Sequence, residues 1–477
     1  MKRILFILFF PVFTALSFAQ STIDHGGYVD LYYMARLSDN SLINIPYRIF
    51  NINVDHQNGD LSIKSTLSLE HQLRSDTYFL TNNSPQDFHW DLRELYMQWF
   101  TSFGEIRIGK QIHAWGSADE NSPIDVVNPL DYYYLFSAGA ERKLATFSTA
   151  TDLYINNTKL GFVFSPVHNT HRTPGGDDDF PISIPIAPDP EQIFEIDDNP
   201  YEIGGFINQT FNFGDVTFSY FQGYDRIFNL TGVNVYGRGP DLSFSHIDIL
   251  FGYRKTRVMG AGSVLLLGDV TLRGDLGYFD TQDQNTDINQ ASSFLPEIYD
   301  SLHFSYPLHE ESKYYQTTFQ FEYTLPFDIR LTCQFFTYDT LSYSSDSLPV
   351  SEQISIPNLD IDPEQLEPRH FFTPGMGASL AVLSRKAGFI SLERHFNDEQ
   401  LKLNLTTMLD LDDSNFDGTL PGVLLEGHID YNMTDELRAT IGLTKIYGSD
   451  DHPDGENYRF NKMEDFSHLR FELKYFF

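Results

Sequence analysis

The chain contains little cysteine and few basic residues for its length. Cys333 is the single cysteine among 477 residues, which excludes an intramolecular disulfide framework and a cysteine-rich metal site. Lysine and arginine number 32 against 66 aspartate and glutamate residues, for a formal net charge of -34. This balance excludes a nucleic-acid-binding protein that relies on a basic surface. Apolar residues still make up 41% of the chain, which is too many for a disordered acidic protein.

Long apolar runs are also absent, apart from one at the N-terminus. Residues 1–19 have the pattern of a secretory signal peptide, in which Lys2 and Arg3 precede an apolar stretch and 17–19 form a cleavage site. An N-terminal membrane anchor is the less favoured alternative because the apolar stretch is short. No run of 18 apolar residues follows, so helical membrane spans are excluded. We therefore predict secretion and a mature chain that begins near Gln20.

The rest of the chain alternates apolar and polar residues with a period of two, which indicates β-strands rather than helices. The alternation is clear in 270–278, 315–325, 401–409 and 437–444, and clearest in 468–477. Strands of this kind bury one face, either against a second sheet, as in a soluble sandwich, or against lipid. The apolar face of the last segment consists of Leu469, Phe471, Leu473, Tyr475 and Phe477.

Two features favour lipid over a soluble sandwich. The strands run for about 10 to 13 residues, the length that a tilted strand needs to cross a bilayer, whereas soluble strands are typically about 5 or 6 residues long. The apolar faces also end in Tyr and Phe, as expected of aromatic girdles. A sheet in hydrocarbon must close, because every backbone N–H and C=O group needs a partner. The predicted fold class is therefore all-β, a transmembrane antiparallel up-and-down β-barrel.

The connections between the predicted strands are of two kinds. Nine are long, mostly acidic and rich in proline, and eight are short turns rich in Gly, Asn and Asp. Seventeen connections give about 18 strands, with 16 as an acceptable count, and place both termini in the periplasm. The segments 244–256 and 376–395 are ambiguous, because either could hold an extra hairpin. The predicted turns lie at 57–60, 102–104, 156–158, 214–215, 268–269, 326–328, 397–399 and 433–435.

A barrel of this size is wide enough for an aqueous lumen. The polar strand faces would line it, because a charged side chain facing lipid costs about 2–4 kcal/mol near the bilayer midplane. The acidic loops predict a negative entrance, whereas the wall arginines predict a basic track, so the sign of ion selectivity stays open. The predicted pore-lining residues are Glu105, Arg107, Gln111, Arg273, Asp275, Glu322, Arg330, Lys402, Arg438, Arg470, Glu472 and Lys474.

One segment resembles a known family. Residues 105–131 contain a strand ending in Arg-x-Gly-Lys-Gln, followed by Trp-Gly and then by Asn-Pro-x-Asp. This resembles a group of largely uncharacterised bacterial outer-membrane porin-like β-barrel proteins. The resemblance implies an outer-membrane barrel and supplies no substrate. The residues that carry it are Arg107, Gly109, Lys110, Gln111, Trp115, Gly116, Asn128, Pro129 and Asp131.

The same segment is a strand that runs into a long loop. Gly109 permits a close backbone approach or a bulge near the end of the strand, and Asn128-Pro129 favours a turn. We hypothesise that residues 112–143 fold inward and narrow the pore. The alternative is an ordinary surface loop that packs on the rim.

The sequence offers no recognisable catalytic or metal-binding motif. It lacks Gly-x-Ser-x-Gly, a P-loop and His-x-x-x-His. Carboxylate clusters at 177–179, 197–198 and 410–413 are rich in oxygen ligands, but none has the spacing of a calcium-binding loop. Calcium binding by these loops is left open. We therefore predict no enzymatic activity, no cofactor and no metal site.

Taken together, these patterns predict a channel for passive diffusion of small hydrophilic solutes in the outer membrane of a Gram-negative-type bacterium. The alternative is a closed barrel that acts as an adhesin or scaffold through its extracellular loops. The last strand alternates and ends in Phe477, and this resembles the targeting signal of outer-membrane proteins. The expected partners are outer-membrane lipid, small hydrophilic solutes and the barrel-assembly machinery. No nucleic-acid partner is expected, and homo-oligomerisation is left open.

Overall fold

The structure is a computed structural model. The predicted signal peptide at 1–19 and the acidic clusters at 177–179 and 197–198 lie outside the described residues, as do Asp413 of the third acidic cluster and residues 120 and 136–140 of the stretch predicted to fold inward. The structure describes residues 21–72, 88–119, 121–135, 141–174, 188–196, 200–348, 368–412, 420–453, 455 and 458–477.

The described residues are almost entirely in strands and the connections between them. They form 21 strands, namely β1 (Ser21–Arg36), β2 (Tyr47–Asn58), β3 (Leu61–His71), β4 (Phe88–Thr101), β5 (Gly104–Gln111), β6 (Thr146–Ile155), β7 (Thr158–Ser165), β8 (Glu202–Phe211), β9 (Gly214–Tyr224), β10 (Asn229–Arg238), β11 (Asp241–Gly252), β12 (Lys255–Leu267), β13 (Val270–Gln282), β14 (Ser301–Pro307), β15 (Glu311–Leu325), β16 (Ile329–Ser344), β17 (Lys386–Phe396), β18 (Leu401–Asp410), β19 (Gly422–Asn432), β20 (Leu437–Gly448) and β21 (His468–Phe476).

Eighteen of these strands form one closed antiparallel sheet, which we call the wall. The wall runs through β1 to β9, then β12, β13 and β15 to β21, and each strand pairs with the next. β1 also pairs with β21, from Tyr28 opposite Phe476 to Arg36 opposite His468. This last pairing leaves no free edge, so the strands can satisfy their backbone groups inside hydrocarbon. The predicted antiparallel barrel of 18 strands is confirmed.

The predicted short turns join neighbouring wall strands. Several of them contain residues in the left-handed region, which a tight turn requires: Gly59 has a φ of 60°, Gly268 a φ of 65° and Asn156 a φ of 52°. Glycine and asparagine adopt such angles at low cost. All eight turns lie at one end of the barrel and the long connections lie at the other, so the turns face the periplasm.

The outer face of the wall is apolar. In β20, Ile441 and Leu443 are each 49% exposed, whereas Thr440 and Thr444 on the inner face are 5% exposed. The same alternation exposes Phe319 on β15 to the outside. A closed sheet with an apolar outer belt and a polar inner face is built to span the outer membrane. Within the described residues, the helices are too short or too polar to cross a bilayer.

Three strands lie outside the wall, where the sequence predicts plain loops. β10 and β11 form a hairpin, and β14 adds to β10, giving a separate sheet in the order β11-β10-β14. The sequence left open whether 244–256 holds an extra hairpin. The structure has a hairpin there, formed by β10 and β11, but it lies in the connection between wall strands β9 and β12. At 376–395 the described chain has only a single helical turn, Ser379–Val382, before β17. The search for alternating strands missed β10 because this strand is buried along almost its whole length, and its Val233 belongs to a small apolar cluster with Leu308 and Leu348 of the connections.

Candidate functional site

Of residues 112–143, for which the sequence predicts an inward fold, the structure describes 112–119, 121–135 and 141–143, and we call 112–119 and 121–135 the in-folded segment. The backbone N–H groups of Ser117 and Ala118 donate to Oδ2 of Asp275 on β13, each at 2.8 Å. The N–H of Asp119 donates to Oε1 of Gln320 on β15 at 3.0 Å. Six wall strands separate β5 from β15. A chain that starts on one strand and bonds to the inner face of the other must run across the lumen.

The far end of this path is fixed by an amide network. Asn121 donates from Nδ2 to Oε1 of Gln334 on β16 at 2.8 Å, and its own carbonyl accepts from the hydroxyl of Thr318 at 2.6 Å. Nε2 of Gln334 in turn donates to the carbonyl of Asp119 at 2.8 Å. Ser379, from the connection before β17, donates to Oδ1 of Asn121 at 2.8 Å. These groups are buried and hydrogen-bonded, so the segment is held by specific bonds rather than by apolar contact alone.

The residues of the porin-like pattern hold the base of the segment. Asn128 accepts the N–H of His113 at 2.6 Å and donates to the carbonyls of Gln111 and Leu144, at 3.2 and 2.8 Å. One side chain therefore ties together the chain that enters the lumen and the chain that leaves it. Gly109 has a φ of 137°, and a Cβ there would stand 2.3 Å from the carbonyl oxygen of Leu95. The close approach permitted by a glycine at this position is thus required.

The Trp-Gly pair anchors the segment beside β8 and β9. The Trp115 ring packs edge-on against Phe206 and Phe221, with ring centroids 5.4 and 6.3 Å apart. Gly116 has a φ of 94°, and a Cβ on it would stand 2.0 Å from Oγ of Ser122. An aromatic anchor followed by a tight left-handed turn redirects the chain across the lumen.

A buried arginine in the extracellular half, Arg226, attaches the in-folded segment to Glu202 at the start of β8. Arg226 is 1% exposed. Its Nη2 donates to the carbonyls of Val126 and Val127 at 3.3 and 2.8 Å. Its guanidinium also bonds both carboxylate oxygens of Glu202, at 2.8 and 2.9 Å. A planar guanidinium with five donors suits this role, because it can serve a carboxylate and backbone carbonyls at once.

A cavity of about 570 Å³ extends from the in-folded segment toward the periplasmic ends of β20 and β21. Asp119, Asn121 and Leu135 of the segment border it. The remaining lining comes from the inner faces of β15 to β21, with an apolar part at Phe389, Met408 and Leu424 and a polar part elsewhere. The polar wall residues are Gln320, Arg330, Thr332, Gln334, Ser391, Glu393, Lys402, Asn404, Thr406, Glu426, His428, Asp430, Arg438, Thr440, Arg470, Glu472 and Lys474.

Half of the predicted pore-lining residues border this cavity. They are held by specific partners: Lys474 lies 2.8 Å from Asp30 and 2.9 Å from Glu472, and Lys402 lies 2.7 Å from Glu393. The six are Arg330, Lys402, Arg438, Arg470, Glu472 and Lys474.

Two further predicted residues, Arg273 and Glu322, connect the cavity wall to the in-folded segment. Arg273 Nε bonds Glu322 at 2.7 Å, and Arg273 Nη1 lies 3.7 Å from the Asp119 carboxylate. Glu322 also contacts Arg330 at 3.1 Å. Arg273 on β13, Glu322 on β15 and Arg330 on β16 therefore form a chain of charged side chains that links the in-folded segment to the cavity.

The other four predicted residues lie on the inner face but elsewhere. Glu105 and Arg107 lie on β5, where Arg107 contacts Asp152 at 3.2 Å. Gln111 and Asp275 are 0% and 2% exposed. The Gln111 side chain donates to the carbonyl of Ser148 on β6, and Asp275 accepts two backbone N–H groups of the in-folded segment. The prediction of these two as pore-lining is corrected: they bond backbone groups instead of facing open space.

Several lining residues were missed by the sequence analysis. Glu426, His428 and Asp430 alternate along β19 with residues that face outward, so their period-two pattern could have revealed them. Asp119 and Asn121 could not be found this way, because they reach the lumen from a connection. With these residues included, the cavity lining among the described residues carries five basic and five acidic side chains. The sequence predicted a row of positive charge along the wall from its arginines, but carboxylates in the same lining balance that charge.

Acidification should loosen the in-folded segment. Burial lowers the pKa of His113 to about 3, with smaller contributions from Arg107 and Lys143. The pKa of a histidine in an unfolded chain is about 6.5. Protons therefore bind the open state first, and stability falls as the pH drops from about 6.5 toward 3. Amide-exchange protection of 126–131, corrected for intrinsic rates, should decrease between pH 7 and 4.

The variant His113→Gln provides the control for this effect. The His113 ring lies 2.9 Å from Oγ of Ser148, and a glutamine can keep a hydrogen bond there without titrating. It should reduce the acid effect without abolishing it, because burial also lowers the pKa of His171 in the neighbouring connection. An undiminished effect in the variant would assign the acid sensitivity to other groups.

The chain is similar in structure to several solved outer-membrane proteins. No protein-family profile matches the chain, and no curated protein matches it in sequence. The outer membrane protein OpdK from Pseudomonas aeruginosa is similar at 9% identity and a TM-score of 0.48, over 96% of this chain and 99% of that one. OccAB2 of Acinetobacter baumannii is similar at 12% identity and a TM-score of 0.45, over 96% and 98%. OmpT, an outer membrane protein of Vibrio cholerae, is similar at 11% identity and a TM-score of 0.37, over 97% and 100%.

Proposed function

We propose that the protein is an outer-membrane channel for passive diffusion of small hydrophilic solutes. The observation that carries the proposal is the cavity inside the wall, which is lined largely by charged and polar side chains and reaches toward the periplasmic end. Charges that line a lumen stay hydrated and can exchange water for a polar solute.

We further propose that the in-folded segment sets the width of the pore. It crosses the lumen and borders the cavity through Asp119, Asn121 and Leu135. Its bonds to β13, β15 and β16 support a fixed constriction rather than a loosely packed loop. Passage through such a constriction needs no catalytic step, cofactor or energy coupling, because the solute gradient drives it.

Planar-bilayer recording tests the channel directly. The purified protein should produce stepwise conductance, and heat-denatured protein should produce none. Liposome swelling with neutral sugars, amino acids and dicarboxylates should then rank solutes by size and charge. The balanced lining leads us to expect only weak discrimination between small cations and anions in bilayer recording. Absence of conductance from folded protein would reject the proposal.

A second candidate function is an adhesin or scaffold that acts through the extracellular loops. The sheet of β10, β11 and β14 favours it, because Phe244 and Phe304 on this sheet are 57% and 40% exposed. Exposed apolar side chains on an extracellular sheet are suited to protein contact. Folded barrels that stay silent in bilayers and bind cells through this sheet would support this candidate.

Two assembly properties complete the proposal. We propose that the barrel-assembly machinery recognises the last strand, in which Phe477 packs on Phe50 at a centroid distance of 6.1 Å and its backbone pairs with Gly27. Homo-oligomers are compatible with the apolar belt, and crosslinking in native membranes distinguishes them from monomers.

A further inference from the structure

We propose that a basic patch on the outer wall, formed by Lys255, Arg257 and Lys313, binds the phosphate groups of a phosphorylated lipid in the outer leaflet. The proposal requires only that the barrel spans the outer membrane, and it is independent of channel activity. The patch lies on β12 and β15, with β13 between them, close to the ends that lead into the long connections.

The strand register places these side chains together. Arg257 is directly opposite Asp280 on β13, and Asp280 is directly opposite Lys313 on β15. Lys255 precedes Arg257 by two residues on the same face of β12, nearer to the long connections. Neighbouring strands lie about 4.8 Å apart, so the two long basic side chains can reach toward one ligand group across β13.

The side chains point away from the lumen. The Arg257 side chain is 57% exposed, and it lies between the buried residues Thr256 and Val258. Lys313 is exposed and lies between the buried residues Ser312 and Tyr314. Alternation along a wall strand therefore assigns both cations to the outer face.

The row of side chains immediately below the patch fixes its depth. Met259 pairs with Tyr220 on one side and with Tyr278 on the other, and Tyr278 pairs with Tyr315. This row of three tyrosines and one methionine has the composition of an aromatic girdle at the membrane interface. Residues one pleat above a girdle lie at the level of lipid headgroups, where a cation costs little and meets phosphate.

The charge of the patch opposes that of the chain. Asp280 lies 4.0 Å from Arg257, and Glu311 accepts a hydrogen bond from Gln282 at 2.8 Å, so three cations face two carboxylates. The whole chain carries 32 basic residues against 66 acidic ones. Among the described residues, Lys255 and Lys313 have no carboxylate within ion-pair distance, which leaves their charge for an external anion.

The opposite ends of the same strands carry no charge on their outer face. Leu265 pairs with Leu272, and Val270 pairs with Tyr323, at the end next to the short turns. If the cations served only to anchor the strands at an interface, both ends would be expected to carry them. Their restriction to one end matches a ligand confined to the outer leaflet.

Lipid binding by a double-neutralised variant tests the proposal. Purified protein in an uncharged detergent with EDTA is titrated with bis-phosphorylated lipid A, and bound lipid is counted by native mass spectrometry. The wild type should bind the lipid, and the variant Arg257→Gln/Lys313→Gln should bind it roughly tenfold more weakly or worse, because each cation near an anionic headgroup contributes to affinity. The variant should fold, since both side chains are exposed.

The control variant Arg394→Gln/Lys64→Gln removes the same charge elsewhere, at the periplasmic end of β17 and on the inner face of β3, and should bind as the wild type does. Equal binding of dephosphorylated lipid A, or unchanged binding by the Arg257 and Lys313 variant, would overturn the proposal. Full competition by inorganic phosphate would assign the patch to free phosphate.

Binding only in the presence of Mg²⁺ would assign it to a cation bridge through Asp280 and Glu311. Conductance of both variants is measured in parallel, so loss of the channel is distinguishable from loss of lipid binding.

Discussion

Replacing Arg226 by methionine should release the in-folded segment and destabilise the extracellular half of the barrel. The side chain is buried and joins the carbonyls of Val126 and Val127 to the carboxylate of Glu202. Methionine fills similar space but leaves the Glu202 charge without this partner. Removing one member of a buried ion pair costs about 3–5 kcal/mol, and the segment loses two carbonyl hydrogen bonds at the same time.

Hydrogen–deuterium exchange resolves this effect by region. Amides of 121–131 should lose protection in Arg226→Met, whereas amides of the wall strands far from the segment should keep it. Arg257→Met is the matched control, because it removes an arginine from the outer face, where the side chain is 57% exposed. Its exchange should equal that of the wild type.

A double-mutant cycle separates the unpaired charge from the lost carbonyl bonds. Combining Arg226→Met with Glu202→Leu removes both charges, so the double variant should be more stable than Arg226→Met alone. It should still protect 126–127 less than the wild type does, because the carbonyl bonds are not restored. Full protection in the single variant would contradict the assigned anchor.

Excising residues 117–124 and bridging the gap with glycine and serine should raise single-channel conductance by roughly two- to fivefold, because a segment that crosses the lumen is removed. The excision takes away Asp119 and Asn121, which border the cavity, together with their bonds to Gln320 and Gln334. The barrel itself should persist, because the wall closes through its own backbone pairing.

Replacing the exposed hairpin tip at 238–241 by a glycine–serine linker provides the control for this excision. The tip belongs to the β10–β11 hairpin outside the wall, so conductance should stay at the wild-type value. Unchanged conductance after the 117–124 excision would remove the constriction proposal. A rise in both variants would point to a general loosening of the connections.

The milder variant Asp275→Asn probes the same obstruction without deletion. Asp275 accepts two backbone N–H groups from the segment, and bonds to a charged acceptor are stronger than bonds to an amide. The variant should show more current noise from brief openings. Asp280→Asn, on the same strand but facing outward, should not.

The fold was predictable because every wall strand must place apolar side chains toward lipid and polar side chains toward the lumen. Leu469, Phe471 and Leu473 alternate with Arg470, Glu472 and Lys474, and the same alternation recurs around the wall. Turns could be placed because Gly59, Asn156 and Gly268 suit left-handed angles. Local pattern therefore determined strand number and the inner or outer face of most charged residues.

The path of the in-folded segment could be hypothesised but not traced from the sequence. Ser117 and its acceptor Asp275 are 158 residues apart along the chain, and Asn121 bonds Gln334 over a separation of 213 residues. Such contacts depend on where strands lie around the wall, which local alternation does not encode. For the same reason, the burial of Gln111 and Asp275 and the role of Arg226 became visible only in three dimensions.

Pairing of the first strand with the last has a consequence for biogenesis. The register that joins Tyr28 to Phe476, and the contact of Asp30 with Lys474 at 2.8 Å, unite the first and last strands of the wall. Closure of the barrel must therefore wait until β21 has been synthesised, and the export pathway has to keep the preceding strands unfolded until then. A circular permutant opened at 397–399 and linked across the native termini would move that last step to a different pair of strands.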